Sequence, residues 1–239
     1  MAEPTTSVFV CGVPRSGTSF LAHLLASTGV AGWPSEWFWR EDVERNMTAW
    51  GVTSWDEYLD CVLERATTPN GVLGAKVMWG VLGELLFRLR VRTRSYEAVD
   101  LAVLEAVFPS PRFVWITRED KVAQAVSWAK AIQSGSWAAH QPATGEVEFD
   151  FEQVDWLHHE ARIHDGSWRR WFAAQGVEPF HLTYEQLCAE AERTILRVLA
   201  WLGLEPLAGA RIEPPPELYK QADAINADWA ARYRALARE

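Results

Sequence analysis

Short apolar runs alternate with amphipathic segments along most of the chain. Four runs have the length and apolar content of buried strands: residues 7–12, 72–77, 112–117 and 179–183. Between them, apolar residues recur at the three- and four-residue spacing of helices. Strands that alternate with helices predict a parallel sheet covered by helices on both faces. We therefore expect a single three-layer, P-loop-like α/β domain over residues 1–239.

Several of the predicted helices have recognisable boundaries. Ser54 and Glu57 have the spacing of a capping box at the start of one helix. A long helical pattern covers residues 151–174, and we expect it to be interrupted near Gly166. A further helix is predicted over residues 185–202.

The first strand leads directly into a glycine-containing loop. Its sequence, SVFVCGVPRSGTS, fits the pattern GxxxxGK[ST] at every fixed position except the lysine, which is Thr18 here. Glycines allow close backbone approach, and a helix N-terminus favours negative charge. The segment that we expect to hold a phosphate-like group comprises Pro14, Arg15, Ser16, Gly17, Thr18 and Ser19. A plain turn between strand and helix is the alternative.

The missing lysine indicates which nucleotide would bind. In phosphoryl transfer that lysine reaches the β- and γ-phosphates, and a Walker B acid completes a Mg²⁺ site. No other apolar strand ends in an evident metal-binding aspartate, and the nearest cation is Arg15. A metal-free donor with one bridging phosphate fits better, and 3′-phosphoadenosine 5′-phosphosulfate (PAPS) is such a donor. A small-molecule kinase and a non-catalytic nucleotide-binding protein remain the alternatives.

Four polar side chains lie at or just beyond the predicted carboxyl ends of strands. Ligands of open α/β sheets bind at that edge. Glu36 lies on a loop stiffened by Pro34 and is a candidate general base. Lys76 ends an inner strand, where a lysine is costly unless it meets an anion. Arg118 ends the central strand and Ser127 lies on the next helix, so together they could bridge a phosphate. Ordinary surface positions are the alternative for these residues.

The 14 tryptophans exceed the usual share of this residue. Core packing is the default interpretation for most of them, because aromatic side chains bury large apolar areas. Others could line a sugar-binding cleft by stacking on pyranose faces. Trp33 and Trp37, on either side of Glu36, are the candidates for contact with such an acceptor.

Charge and polarity exclude one class of partner and distinguish two surface segments. A formal charge of −9 argues against a nucleic-acid partner. The basic cluster from Arg88 to Arg94 fits a solvated helix end and loop, with an anionic partner as the alternative. The polar stretch from Ala138 to Glu148 resembles a mobile loop or lid.

Other features argue against a membrane, disulfide or metal assignment. No apolar stretch approaches the ~20 residues of a membrane helix. The N-terminus lacks the basic region of a signal peptide, so we expect a cytoplasmic protein. The three cysteines are scattered without a CxxC pair. His158 and His159 are adjacent, and helix neighbours point to different faces, so we expect no metal site.

Spaced sequence blocks, in one order, resemble the sulfotransferase superfamily and within it the bacterial trehalose 2-sulfotransferase family. These blocks are PRSGTSFLAHLLASTGVAGWPSEWF, GAKVMW, EAVFPSPRFVWITREDKVAQAVSWAKAIQSGSW, PFHLTYEQL and KQADAINADWAARY. The resemblance covers nearly the whole chain. It implies PAPS-dependent transfer of a sulfuryl group to a carbohydrate hydroxyl, with adenosine 3′,5′-bisphosphate (PAP) as product, and it also implies a homodimer.

The resemblance further implies a role for individual residues. The family's 5′-phosphosulfate loop falls on the segment Pro14 to Ser19, and its 3′-phosphate contacts fall on Arg118 and Ser127. Its general base falls on Glu36, and we expect Arg15 and Lys76 to act in catalysis by stabilising the negative charge that grows on the transferred sulfuryl group. The basic segment that closes over the nucleotide falls on Lys220 and Gln221. The acceptor stays open among trehalose, another glycoside and a hydroxylated secondary metabolite.

Overall fold

Four parallel strands form the centre of the computed structural model, which describes residues 3–137, 142, 144–212 and 224–237. The strands are β1 (Thr6–Gly12), β2 (Val72–Met78), β3 (Pro111–Thr117) and β4 (Phe180–Thr183). They are ordered β2-β1-β3-β4, and every neighbouring pair is parallel. The predicted α/β fold and the presence of all four predicted strands are confirmed. The expectation that Lys76 ends an inner strand is wrong, because β2 is an edge strand and its apolar run continues through Met78.

Ten helices lie within the described residues. They are α1 (Thr18–Ser27), α2 (Arg40–Trp50), α3 (Trp55–Arg65), α4 (Trp79–Thr93), α5 (Asp100–Glu105), α6 (Lys121–Ser134), α7 (Phe151–Gln175), α8 (Tyr184–Ala189), α9 (Ala191–Leu202) and α10 (Ala224–Leu236). None of these described helices has both the length and the apolar character needed to cross a bilayer.

The sheet separates two hydrophobic layers. Because successive side chains of a strand point to opposite faces, Val8 and Val10 of β1 join one layer while Phe9 and Cys11 join the other. The first layer is completed by α1 and α9. The second is larger and contains side chains of α3, α4, α6 and α7, with Trp168 fully buried in it. This is the three-layer arrangement that the alternating pattern predicts.

The expected interruption of α7 near Gly166 is wrong. The helix runs unbroken from Phe151 to Gln175. Trp168 and Trp171 are both buried and pack beside each other on one face of the helix. A helical glycine costs only about 1 kcal/mol relative to alanine, which this packing offsets.

The single helix expected over residues 185–202 is also wrong, because the chain forms α8 and α9 instead. Thr183 begins α8 with a capping box that includes Gln186. Glu190 then leaves the helical region, with φ −142° and ψ 60°, before α9 starts. The apolar spacing continues across this break, which is why the sequence pattern did not locate it.

The basic cluster from Arg88 to Arg94 is largely satisfied within the chain. Arg88 pairs with Glu84 on the same helix, and Arg90 pairs with Asp100. Arg92 reaches two carboxylates of α3. These ion pairs account for most of the cluster without an anionic partner, in line with the helix-end interpretation.

Candidate active site

We call the loop between β1 and α1, residues 13–17, the phosphate loop. The backbone in and beside this loop has conformations that only certain residues can adopt. Gly17 precedes α1 with φ 94°, and a Cβ there would lie 2.6 Å from the ring of Tyr184. A Cβ on Gly12 would lie 2.6 Å from Thr18 Cγ2. Both positions therefore require glycine.

Arg15 also has a positive φ, 64°, although it is not a glycine. This conformation is strained for most residues and is enriched at functional sites. A left-handed residue in such a loop turns neighbouring N–H groups towards one point, where an anion can bind.

Two observations show that the phosphate loop fits an anionic group. The first turn of α1 has no side-chain cap, so its N–H groups keep their capacity to donate. The hydroxyl of Ser16 is buried and has no hydrogen-bond partner among the described residues. Buried hydroxyls normally have a partner, so this one is available to a ligand.

On the β2 side of this loop, Ser19, Glu36 and Lys76 form what we call the reaction-side cluster. Lys76 Nζ lies 2.9 Å from Glu36 Oε1 and donates to Ser19 Oγ at 2.9 Å. The Lys76 side chain is only 8% exposed, whereas Glu36 is 34% exposed. The cluster thus joins a buried cation to a carboxylate that solvent can reach.

The backbone holds Glu36 in this position. Ser35 bridges to Ala75 in parallel register, and its carbonyl accepts the Lys76 N–H at 2.8 Å. The Glu36 loop therefore continues the sheet beyond β2. Ala75 lies inside β2, so the bridge places the loop alongside this strand, and the contacts of Lys76 with Glu36 and Ser19 bring the Glu36 carboxylate close to the start of α1.

On the β3 side, Arg15, Arg118 and Ser127 form the recognition-side cluster. Arg15 Nε donates to Ser127 Oγ at 3.0 Å, and Arg118 Nη1 donates to the carbonyl of Arg15 at 3.3 Å. The Arg118 guanidinium also lies 4.7 Å from the ring centroid of Tyr184. Its Nε is buried and has no partner among the described residues.

The two guanidinium groups of this cluster are close enough to repel. Burial, followed by the charge of Arg118, lowers the pKa of Arg15 to about 10, which still leaves it protonated at neutral pH. Neither arginine forms an ion pair within the part of the chain that the structure describes. Two adjacent cations that form no ion pair with any described carboxylate favour a bound anion.

We expected Arg15 to act on the transferred group as well as on the donor. The structure directs its guanidinium to Ser127 and to the carbonyl of Trp137, which accepts from Nη1 at 2.7 Å. It thus lies with Arg118 rather than with Glu36 and Lys76. A catalytic role for Arg15 stays a prediction.

The two candidate acceptor tryptophans differ in their surroundings. Trp33 is 43% exposed. Trp37 is partly buried, lies beside Trp50, and its indole N–H donates to the carbonyls of Trp33 and Gly74 at 3.1 and 3.0 Å. Trp37 therefore fixes the Glu36 loop to β2, and contact of either tryptophan with an acceptor stays a prediction.

Two further expectations fall wholly or partly outside the described residues. Lys220 and Gln221 both lie outside them, as do residues 138–141 and 143 of the expected lid. The described end of that stretch is tied to α6: Thr144 N–H donates to the Ser134 carbonyl at 2.8 Å and Glu148 N–H to Gln133 Oε1 at 2.8 Å. The lid stays a prediction.

Sequence reasoning missed a buried polar connection behind the phosphate loop. Gln124 is fully buried, and its amide donates to the carbonyl of Pro14 at 2.9 Å. Lys121 donates to the other end of that amide at 3.2 Å and pairs with buried Asp165. The signal that could have revealed it is the spacing of Lys121, Gln124 and Ser127, which places three polar side chains on one face of α6.

Comparison with known families assigns the chain. The Stf0 sulphotransferase family profile matches residues 7–236. The chain is a member of the Stf0 sulphotransferase family. The phosphate loop and both clusters lie within the matched residues.

Relatives of this Stf0 sulphotransferase include two named enzymes. Trehalose 2-sulfotransferase of Mycolicibacterium smegmatis is 30% identical over 98% of this chain and 96% of its own length. Trehalose 2-sulfotransferase of Mycobacterium tuberculosis is 28% identical over 99% and 97%. The sulfotransferase domain from the Synechococcus PCC 7002 olefin synthase covers 98% of this chain and 89% of that one, at 15% identity and a TM-score of 0.40. That superposition is too loose to add to the sequence assignment.

Proposed function

We propose that this Stf0 sulphotransferase transfers the sulfuryl group of PAPS to a hydroxyl of a carbohydrate, either a disaccharide like trehalose or a glycosylated small molecule. One observation carries the proposal. A single phosphate loop has a carboxylate-lysine pair on one side and two arginines without a described counterion on the other.

This division follows from the strand order. β1 lies between β2 and β3, so the loop after β1 lies between the residues that end those two strands. Lys76 belongs to β2, and Arg118 directly follows β3. A nucleotide whose 5′-phosphate lies on the loop can therefore direct its 3′-phosphate to one side and its reacting group to the other.

On the recognition side, Arg15, Arg118 and Ser127 would hold the 3′-phosphate. Guanidinium groups suit phosphate because they donate two parallel hydrogen bonds. This contact would distinguish PAPS from ATP, which has no 3′-phosphate. The phosphate loop and the first turn of α1 would hold the 5′ side of the same donor.

On the reaction side, Glu36 would accept the proton of the acceptor hydroxyl as the hydroxyl oxygen attacks the sulfur of PAPS. PAPS, when bound, supplies the sulfuryl group and leaves as PAP. Lys76 would orient the Glu36 carboxylate and stabilise negative charge that develops near the loop. Ser19 Oγ accepts a hydrogen bond from the Lys76 ammonium, which links this lysine to the first turn of α1.

The acceptor is the part of this proposal that rests on relatives. Both named relatives are trehalose 2-sulfotransferases that match nearly the full chain. Exposed Trp33, three residues before Glu36, provides an aromatic surface of the kind on which a pyranose ring stacks.

The donor is tested by calorimetric titration with PAP in EDTA, with ATP plus Mg²⁺ as the comparison. We expect metal-free binding of PAP and much weaker binding of ATP. Binding of Mg·ATP without binding of PAP would contradict the proposal and favour a small-molecule kinase.

The acceptor is tested by a transfer assay with PAPS and trehalose, other glycosides and hydroxylated non-sugar compounds. We expect turnover with a sugar hydroxyl. PAP binding without turnover on any of these would indicate a non-catalytic nucleotide-binding protein. Turnover confined to the non-sugar compounds would contradict the carbohydrate assignment but keep the sulfuryl transfer. The homodimer implied by the family resemblance stays a prediction for sedimentation analysis.

A further inference from the structure

A second group of polar side chains lies near the start of α7. Asp155, His158 and His159 each offer one ligand atom, and these atoms all lie within 4.8 Å of one another. Trp168, which donates to the Gly12 carbonyl beside the phosphate loop, is thirteen residues further along the helix. The thirteen residues are counted from Asp155, and His159 precedes Trp168 by nine, so at 1.5 Å per residue the group lies roughly 14 to 20 Å along α7 from this contact.

The sequence predicted no metal site because neighbouring histidines on a helix point to different faces. The two rings do diverge, with centroids 5.4 Å apart and planes 85° from parallel. Asp155, however, precedes them by three and four residues, the two spacings that bring helical side chains together. The carboxylate therefore lies beside both rings.

Contacts around the group resemble those that orient metal ligands. His159 Nδ1 lies 2.9 Å from the backbone carbonyl of Asp155 and 3.6 Å from Asp155 Oδ2, so this ring faces the carboxylate. The Tyr233 hydroxyl, on α10, donates to Asp155 Oδ1 at 2.6 Å and lies 3.4 Å from His158 Nδ1. Metal-binding histidines and carboxylates characteristically have such outer hydrogen bonds, which fix the tautomer and the ring orientation.

We propose that Asp155, His158 and His159 bind a divalent transition-metal ion, with Zn²⁺ as the ion that best suits the donors. Two imidazole nitrogens and one carboxylate oxygen are ligands that Zn²⁺ takes, with water in the remaining position. This site is separate from the sulfuryl-transfer site and does not depend on the proposed function.

The surroundings set the strength of the site. The side chains of Asp155 and His159 are 40% and 62% exposed, so a metal is open to water on one side. Arg162 and Lys121 add positive charge near His158, which weakens cation binding. Small rotations of the side chains are also needed to shorten their separations to ligand distances. We expect a reversible site rather than one on which folding depends.

Binding would stabilise the contact between α7 and α10. Tyr233 is the described side chain of α10 that bonds Asp155, and a metal on the other carboxylate oxygen would hold that carboxylate in place. Because only the folded chain presents the three ligands together, the metal should raise the unfolding temperature.

The test uses the untagged full chain, stripped with EDTA and dialysed. Zn²⁺ is titrated calorimetrically, Co²⁺ is titrated while its visible d–d bands are recorded, and unfolding temperature is measured with and without Zn²⁺. His158→Ala and His159→Ala remove one ligand each. His23→Ala is the matched control, because this exposed histidine lies on α1, which packs against the other face of the sheet.

We expect binding with one ion per chain, Co²⁺ bands typical of nitrogen and oxygen ligands, and a higher unfolding temperature with Zn²⁺. Each ligand variant should weaken binding by at least about tenfold, and Tyr233→Phe by about tenfold through loss of the orienting bond. The His23→Ala protein should bind as the parent does.

Two outcomes would overturn the proposal. One is the absence of Zn²⁺ and Co²⁺ binding by the parent protein. The other is binding that persists unchanged in His159→Ala. The latter decides the matter even if His158→Ala is unstable, because the His159 side chain is mostly exposed and its loss should leave the fold intact.

Discussion

The reaction-side and recognition-side clusters lie on two sides of one phosphate loop but differ in how their charges are balanced. Lys76 is buried and already paired with Glu36. Arg15 and Arg118 face each other without a described counterion, and their proximity helps to lower the pKa of Arg15. The first cluster pairs a cation with a carboxylate, whereas the second has two cations that form no ion pair among the described residues.

This difference teaches which measurement each cluster should affect. A pair that is already satisfied contributes little to donor binding and can act on the reaction itself. Two uncompensated cations should instead act mainly on donor affinity. Substitutions in the two clusters should therefore separate turnover from binding.

The largest effect is expected for Glu36→Gln. Loss of the proton acceptor should lower kcat by ~10²- to 10⁴-fold, while calorimetric affinity for PAP stays within about twofold of the parent. Glu84→Gln, which alters a carboxylate paired with Arg88 on α4, is the control and should keep full turnover. Unchanged turnover of Glu36→Gln would remove Glu36 from the role of base.

A somewhat smaller loss of turnover is expected for Lys76→Met. Methionine fills a similar volume but provides no charge, so kcat should fall by ~10²- to 10³-fold. Lys76→Arg should restore part of the loss, since it returns a cation to the Glu36 carboxylate. A change confined to PAP affinity, with kcat kept, would instead place Lys76 on the recognition side.

Donor affinity should respond most to Arg118→Gln. Loss of the guanidinium should weaken PAP binding by roughly 10- to 100-fold, with kcat at saturating PAPS nearly unchanged. The preference for PAP over adenosine 5′-monophosphate should fall by the same factor, because only PAP carries the 3′-phosphate.

Arg112→Gln is the matched control for this variant. Arg112 lies near the start of β3, the strand that Arg118 directly follows, and also contacts an aromatic ring, that of Trp201. Its replacement should leave PAP affinity unchanged. Equal losses in both variants would indicate a general effect of charge and contradict a specific 3′-phosphate contact.

The smallest effect is expected for Ser127→Ala. Removing one neutral hydroxyl that accepts from Arg15 should weaken PAP binding about 2- to 10-fold. Ser134→Ala, on the same helix two turns later, should bind PAP normally. A fall in kcat larger than the fall in PAP affinity would contradict the assignment of Ser127 to donor binding.

The sequence alone determined the parts of this protein that depend on local pattern. The four strands, the glycine loop and the capping box of Ser54 with Glu57 follow from short-range sterics and periodicity, and all are present in the structure. Spaced blocks of residues also indicated the sulfotransferase family, which the family profile confirms.

Only the tertiary structure decided which side chains meet. Lys76 and Glu36 are forty residues apart, and Arg15 is more than a hundred residues from Ser127, so no local pattern could pair them. The direction of the Arg15 guanidinium depends on its left-handed backbone and on the position of α6. The continuity of α7 through Gly166 likewise depends on its buried tryptophans. Local propensity determines most helices and strands of this fold, whereas long-range packing determines which charged side chains lie together around its phosphate loop.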